Sequence, residues 1–87
     1  MTNIEIRRAI EAELCSARLK WPSYYDDVIH SVGLICEESG EAMQEALDLT
    51  YDNGCIIALR DEIIQTAAMC FRALENIDNL KIYPHKI

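Results

Sequence analysis

Carboxylates are concentrated in one short stretch of this chain. The segment "ICEESGEAMQEALD", residues 35–48, holds five acidic side chains: Glu37, Glu38, Glu41, Glu45 and Asp48. Apolar residues separate them at helical spacing, so on a helix they project into one broad sector. Like charges three or four residues apart repel each other, and no Lys or Arg lies between Leu34 and Leu59. A solvated helix face usually alternates the signs of its charges, so this stretch is a candidate for binding a cation.

A second polar group follows in "LRDEIIQTAA", and its members are Asp61, Glu62 and Gln65. Glu62 and Gln65 are three residues apart and share a helix face. If the two helices form an antiparallel hairpin, residues 41–45 lie opposite residues 62–65. Clusters that offer only oxygen ligands favour Mg²⁺, which keeps several waters and leaves positions open for phosphate oxygens. We therefore expect a Mg²⁺ site, with Mn²⁺ as an alternative. The competing interpretation is an exposed acidic face that binds a basic partner.

Three helical patterns position these residues, at 4–19, 24–49 and 56–77. Trp21-Pro22 separates the first two patterns, and either Pro22 or a cap at Ser23 or Asp26 is expected to open the second helix. Asn53-Gly54 separates the last two, because both residues tolerate the positive φ of a tight turn. Pro84 lies in a tail that we expect to leave the bundle as an irregular segment or a docking arm.

The predicted fold is all-α and forms a single domain. It comprises an N-terminal helix (1–20), a helical hairpin that carries the acidic motifs (22–78) and a tail (79–87). A chain of 87 residues with 51% hydrophobic residues has a marginal core of its own, so we expect self-association to complete the bundle, with a compact monomer as the alternative. Gly33 and Gly40 inside the second pattern predict a close helix contact or a kink.

Charge and cysteine usage exclude several classes of function. The net charge is −7, so no nucleic-acid polymer is expected as a partner, and a phosphate-bearing ligand requires a metal ion. The four cysteines form no C-x-x-C pair, which argues against zinc and redox motifs. Neither a signal peptide nor an apolar run of membrane-spanning length is present in the sequence. The expectation is a cytoplasmic protein without membrane contact, whose reduced thiols act as small core hydrophobes.

These motifs resemble those of the MazG-type nucleotide pyrophosphohydrolases. That family belongs to the all-α NTP pyrophosphatase superfamily, which is related to the dimeric dUTPases, and its signature is E-x-x-E followed by E-x-x-D on consecutive helices. The stretch "KWPSYYDDVIHSVGLICEESGEAMQEA" is similar to the lead-in of small phage and mobile-element members. The resemblance covers residues 18–78, and its specificity comes from combining the acidic motifs with chain length, helix order and the "IQTAA" continuation.

The resemblance implies Mg²⁺-dependent hydrolysis of a nucleoside or deoxynucleoside triphosphate to the monophosphate and pyrophosphate. It also implies assembly as a homodimer or homotetramer. By position, Glu38 and Glu41 match the first motif pair and Glu62 opens the second, with Gln65 standing where the motif has Asp. These four residues are the expected metal ligands. The amide of Gln65 binds Mg²⁺ less strongly than a carboxylate, which puts the strength of catalysis in question. Glu37, Glu38 and Glu41 are the expected catalytic residues, with Glu37 or Glu45 as general base.

Four further residues are candidates for contacting substrate: Lys20, Trp21, His30 and Arg72. Trp21 has the surface to stack on a base, although it also suits a core or interface position. His30 lies two turns before Glu38 on the same side of the helix and has a surface or packing role as its alternative. Arg72 shares a broad face with Glu62, and its alternative is an exposed salt bridge.

A second function of a different class fits the same residues. A non-catalytic helical module that keeps the bundle and the acidic groove would bind a metal or a basic protein without turning over a nucleotide. The amide at Gln65 and the short chain favour this module. The clustering of Glu37, Glu38, Glu41 and Glu62 favours the enzyme.

Overall fold

The computed structural model describes residues 1–83 and shows an all-helical chain, which confirms the predicted fold class. The helices are α1 (Asn3–Lys20), α2 (Val28–Tyr51) and α3 (Ile56–Asn76), and a 3₁₀ turn at Ile77–Asn79 follows α3. Helix α3 lies between the other two and contacts both of them. Residues 1–83 contain no strand, only an isolated β-bridge. No helix in that part of the chain combines the length and the apolar content needed to cross a membrane.

Helix α2 begins later than the sequence pattern indicates. Its first residue is Val28, and Asp27 is the N-cap, whose side chain accepts a hydrogen bond from the His30 amide at 2.9 Å. The predicted starts at Pro22, Ser23 and Asp26 are therefore wrong. Asp27 supplies a carboxylate to the first turn, while the residues between α1 and Asp27 form a connection without helix or strand.

The turn between α2 and α3 follows the prediction at Asn53-Gly54. Asn53 has φ 57°, a conformation that Asn adopts more readily than most residues. Gly54 donates its amide to the Asp48 carbonyl at 2.8 Å. A Cβ on Gly54 would lie 2.5 Å from the Leu49 nitrogen, so only glycine fits against the end of α2.

The glycines inside α2 do not mark a close approach between helices. A Cβ on Gly33 or Gly40 would have no heavy atom within 4 Å, and α2 continues through both positions. The prediction that these glycines mark a close contact between two helices of the same chain is therefore wrong. Both glycines face outward on a side of α2 that the rest of the described chain leaves uncovered.

The core of the single chain is small and lies between α1 and α3. Within residues 1–83 the buried apolar side chains are Leu14, Ala17, Ala68 and Ala73. Cys15, Cys36 and Cys55 are exposed, so the expectation that they act as core hydrophobes is wrong. They lie on outward-facing sides because three helices enclose little volume.

Large apolar side chains are exposed along one side of α2. We call the set Ile29, Val32, Met43 and Leu47 the α2 stripe; their side chains are between 44% and 77% exposed. Their spacing places them on one side of the helix, with Gly33 and Gly40 between them. At about 100° per residue, Glu38 lies on the opposite side. Helix α2 thus has an acidic side and an apolar side.

Candidate metal site and adjoining cleft

Three of the predicted metal ligands meet in space. Glu38 and Glu41 from α2 and Glu62 from α3 each contribute a carboxylate oxygen, and these atoms all lie within 4.8 Å of one another. We call these residues the carboxylate cluster. The E-x-x-E spacing brings the first two onto one side of α2, and the antiparallel hairpin brings Glu62 opposite them. The predicted register of the hairpin, with 41–45 against 62–65, agrees with the proximity of Glu41 and Glu62.

Burial and mutual repulsion disfavour the ionised forms of two cluster members. The pKa of Glu38 is raised to about 7, first by burial and then by the charges of Glu41 and Glu62. Burial followed by the Glu41 charge also raises the pKa of Glu62. Both effects act against the charged carboxylate, so the cluster in the metal-free chain holds protons more strongly than ordinary glutamates do.

Two oxygens of the cluster are buried without a hydrogen-bond partner in the described chain. They are Oε2 of Glu38 and Oε2 of Glu62. A buried polar atom normally has a partner, and an unpaired carboxylate oxygen is costly. A divalent cation satisfies this need, because it neutralises the repulsion and bonds directly to the oxygens. The donor set therefore fits a hard cation such as Mg²⁺.

Gln65 follows Glu62 by one helical turn and is half-buried. An amide oxygen of this kind has the chemistry of a neutral ligand for a hard cation. Glu45, also half-buried, adds negative charge near Glu62 and contributes to raising the pKa of that residue. Asp48 accepts a hydrogen bond from Gln44 at 2.9 Å and so is engaged within its own helix.

A cleft adjoins the carboxylate cluster. Its volume is about 530 Å³, and Glu37 and Glu38 form part of its wall. Aromatic side chains supply another part of the wall: Trp21, Tyr24 and Tyr25. Concave sites lined by aromatic groups with a few polar groups are typical of small-molecule binding sites. The cleft thus brings a stacking surface next to carboxylates that suit a metal ion.

Arg72 is buried, which contradicts the alternative of an exposed salt bridge. Its side chain is 6% exposed, and it donates hydrogen bonds to the Trp21 carbonyl at 2.7 Å and the Ala17 carbonyl at 3.4 Å. The guanidinium lies 5.0 Å from the centroid of the Tyr24 ring. Arg72 therefore holds the C-terminal end of α1 in place, together with the part of the cleft wall formed by Trp21 and Tyr24. It also lines the cleft itself.

The other predicted substrate residues lie in different surroundings. Trp21 is 66% exposed in the cleft wall, so the core alternative is wrong. Lys20 is exposed at the end of α1 and is outside the residues that line the cleft. His30 pairs with the Asp27 carboxylate and stacks on Tyr25 at 5.2 Å between ring centroids. It too lies outside the cleft lining.

Sequence reasoning missed the polar contact that secures the aromatic wall. The Tyr24 hydroxyl and the Ser31 hydroxyl are 2.6 Å apart, and Ser31 is fully buried. The adjacency of Trp21, Tyr24 and Tyr25 around Pro22 was the one available signal, since three aromatic residues beside a helix break suggest an aromatic wall.

Comparison of the chain with protein-family models, with curated proteins and with solved structures gave no match.

Proposed function

We propose that this chain is a Mg²⁺-dependent hydrolase that splits a nucleoside or deoxynucleoside triphosphate into the monophosphate and pyrophosphate. One observation carries the proposal: three carboxylates from two helices converge, and two of their oxygens are buried without a hydrogen-bond partner in residues 1–83. An arrangement of this kind is unfavourable in its ionised form unless a cation occupies it. The net charge of −7 repels an anionic triphosphate, and a bound cation would reduce that repulsion.

Glu38, Glu41 and Glu62 would hold the metal, with Gln65 as a neutral fourth ligand. Bound Mg²⁺ supplies charge neutralisation for the phosphates and polarisation of the scissile P–O bond. The high pKa of Glu38, about 7, means that this ligand set is completed by loss of a proton near neutral pH. The carboxylates thus couple metal binding to pH.

Glu37 is the better supported candidate for general base. It is exposed and lies in the cleft wall next to Glu38, where its carboxylate is free to accept a proton from an attacking water. Glu45, the other candidate, is outside the cleft lining. In the proposed reaction, water adds to the α-phosphorus, the bond between that phosphorus and the bridging oxygen breaks, and pyrophosphate leaves.

The aromatic wall provides a place for the nucleobase. Trp21 offers an exposed indole face, and aromatic stacking on a base is worth about 1–3 kcal/mol. Arg72 holds Trp21 and Tyr24 in position through its backbone hydrogen bonds and ring contact. Its remaining N–H groups are the donors available for substrate. Lys20 and His30, which lie outside the cleft lining, are weaker candidates for direct contact.

The test is product analysis with a panel of NTPs and dNTPs in the presence of Mg²⁺. Anion-exchange chromatography distinguishes the monophosphate and pyrophosphate from the diphosphate and orthophosphate. We expect the first pair of products from the native chain, none after EDTA, and a loss of at least about a hundredfold in Glu41→Gln. Asp61→Asn is the matched control, because Asp61 is acidic, exposed and outside the cluster.

The outcome also separates the enzyme from the non-catalytic module. Binding of Mn²⁺ at the carboxylate cluster without turnover of any nucleotide would support the module and refute the enzyme. Gln65→Asp restores the motif carboxylate at the position where the chain departs from the resemblance. We expect it to tighten metal binding and raise turnover.

The proposed assembly is a homodimer or homotetramer. Its support is the imbalance between a small core and the large apolar side chains left exposed on α2. Covering that surface removes apolar area from water, which is worth about 25 cal/mol per Å². The α2 stripe lies on the side of the helix opposite Glu38, so assembly through the stripe leaves the carboxylate cluster open to substrate.

A further inference from the structure

The C-terminal segment at residues 80–83 is bonded to the connection between α1 and α2. The Lys81 amide donates to the Asp26 carbonyl at 2.6 Å, and the Val28 amide donates to the Lys81 carbonyl at 3.0 Å. These two bonds form an isolated parallel bridge between Asp27 and Lys81. Side chains add to it, because the Tyr83 hydroxyl lies 3.3 Å from Asp26 Oδ2 and Lys81 Nζ lies 3.7 Å from the same oxygen. The described part of the tail is therefore docked on its own chain.

The position of this contact links it to the cleft. The residues immediately before Asp26 are Ser23, Tyr24 and Tyr25, which line the cleft wall. At the other end of the same connection, Arg72 holds the Trp21 carbonyl. The connection is thus held by α3 at its beginning and by residues 80–83 at its end, and the contact of Tyr24 with Ser31 adds a third attachment between them. It contains no helix or strand of its own to define its course.

The segment at residues 80–83 also helps to cap the N-terminus of α2. Val28 is the first residue of that helix, and the first N–H groups of a helix have no acceptor within the helix. Asp27 caps the His30 amide, whereas the carbonyl of Lys81 satisfies Val28. A residue from the far end of the chain therefore completes the N-terminal capping of the helix that carries Glu38 and Glu41.

We propose that residues 80–83 act as a strap that positions the aromatic wall of the cleft by bonding to Asp26 and Val28. Lys81 is then a positioning residue that acts mainly through its backbone. The strap sets the position of the wall whatever molecule the cleft binds, so it stands independently of the proposed hydrolase activity. Its release changes the cleft wall while the carboxylate cluster, held by α2 and α3, stays in place.

Amide hydrogen exchange followed by NMR tests the strap in the native chain. We expect the Val28 and Lys81 amides to exchange at least about tenfold more slowly than the same sequence in an unfolded peptide. The Ile82 amide, which has no backbone partner in residues 1–83, serves as the internal control and should exchange near the unfolded rate. Rapid exchange at Val28 would overturn the proposal without any variant.

The matched pair of variants is Lys81→Pro and Lys81→Ala. Proline removes the amide that donates to Asp26, and Leu80 already has the extended backbone, φ −75° and ψ 136°, that a residue before proline requires. Alanine keeps the amide and removes only the exposed ion pair. We expect Lys81→Pro to accelerate Val28 exchange by several-fold to about tenfold, as one lost hydrogen bond implies, and to shift the Trp21 and Tyr24 ring resonances. Lys81→Ala should do neither.

Two controls separate positioning from general destabilisation. The amide of Ala68, buried in α3, should keep its protection in both variants, and Mn²⁺ affinity at the carboxylate cluster should change by less than about twofold. Equal effects of the proline and alanine variants on Val28 would refute a strap that acts through its backbone. So would ring resonances of Trp21 and Tyr24 that remain unshifted in Lys81→Pro.

Discussion

At the residue scale, the central feature is a glutamate set whose members oppose one another's ionisation. Glu38 and Glu62 each have a buried oxygen without a hydrogen-bond partner in the described chain, and both have raised pKa values. A site that only needed stability would replace such groups with neutral or apolar ones. The convergence of three carboxylates at this point therefore supports the proposed cation site.

Replacing Glu62 with Gln removes one negative ligand and preserves its shape. We expect Mn²⁺ affinity to fall by at least about tenfold, as measured by electron paramagnetic resonance titration. In EDTA the same variant should unfold at a higher temperature than the native chain, because the repulsion with Glu41 is lost. Asp61→Asn, one residue earlier and exposed, should leave metal affinity within about twofold of native. Equal losses in both variants would show that general charge, not this cluster, attracts the ion.

The raised pKa of Glu38 predicts how stability depends on pH. Its value rises from an ordinary 4.5 to about 7 in the folded chain, so between these values the folded state binds more protons than the unfolded state. In EDTA the free energy of unfolding should therefore fall as the pH rises from about 5 to 8. Excess Mg²⁺ should reverse this slope, since the metal binds the deprotonated carboxylates.

Urea unfolding at several pH values measures both slopes. In Glu38→Gln the free energy of unfolding in EDTA should fall less steeply as the pH rises. The remaining pH dependence is expected from Glu62, whose pKa is also raised. Glu5 and Asp27 have lowered pKa values, so they change the free energy of unfolding mainly at pH values below this range. A native slope that Glu38→Gln leaves unchanged would contradict the assignment.

At the element scale, hydrogen bonds from residues distant in sequence hold the connection between α1 and α2. Arg72 of α3 reaches the carbonyls at the end of α1, where a positive charge also complements the helix dipole. The strap at residues 80–83 holds the other end. The aromatic wall therefore depends on two elements distant in sequence.

Arg72→Met should destabilise the fold by about 2 kcal/mol, because it removes charge-assisted hydrogen bonds to two carbonyls that lie near the core. Urea unfolding provides the measurement. Arg8→Met is the control; Arg8 is exposed on α1, and its replacement should change stability by less than about 0.5 kcal/mol. If Arg72→Met lowered the free energy of unfolding no more than Arg8→Met does, the hydrogen bonds of Arg72 would contribute little to stability.

At the scale of the whole molecule, the single chain leaves most of its large apolar residues uncovered. Only four apolar side chains are buried in residues 1–83. The outer side of α2 is uncovered by the rest of residues 1–83, and the α2 stripe and both internal glycines face outward there. A second copy that places its own α2 there would cover that side and bury the stripe.

Met43→Glu should disrupt self-association by placing a charge in the α2 stripe. In light scattering coupled to gel filtration, we expect the native chain to elute at a multiple of its 9.9 kDa mass and the variant at the monomer mass. Leu19→Glu adds the same charge at a position on α1 that is 84% exposed, and it should remain associated. A native chain that is monomeric at about 100 μM would contradict the proposed assembly.

The sequence by itself determined the local order of the molecule. Hydrophobic periodicity, Asn53-Gly54 and Trp21-Pro22 located three helices to within a few residues, because each signal depends on neighbours within one or two turns. The E-x-x-E spacing placed Glu38 and Glu41 on one side of α2 for the same reason. The start of α2 was misplaced, since several residues before Val28 have the composition of a cap and only Asp27 has the geometry.

Only the tertiary structure decided how distant parts of the chain meet. The burial of Arg72 depends on carbonyls 51 and 55 residues away, and Tyr83 meets Asp26 across 57 residues. No periodic pattern in the sequence encodes such pairings. The tail was expected to be an irregular segment or a docking arm. Residues 80–83 dock on the connection between α1 and α2, while Pro84, His85 and Lys86 lie outside the described residues. Local patterns fix which side of a helix a residue occupies, whereas packing fixes what that side faces.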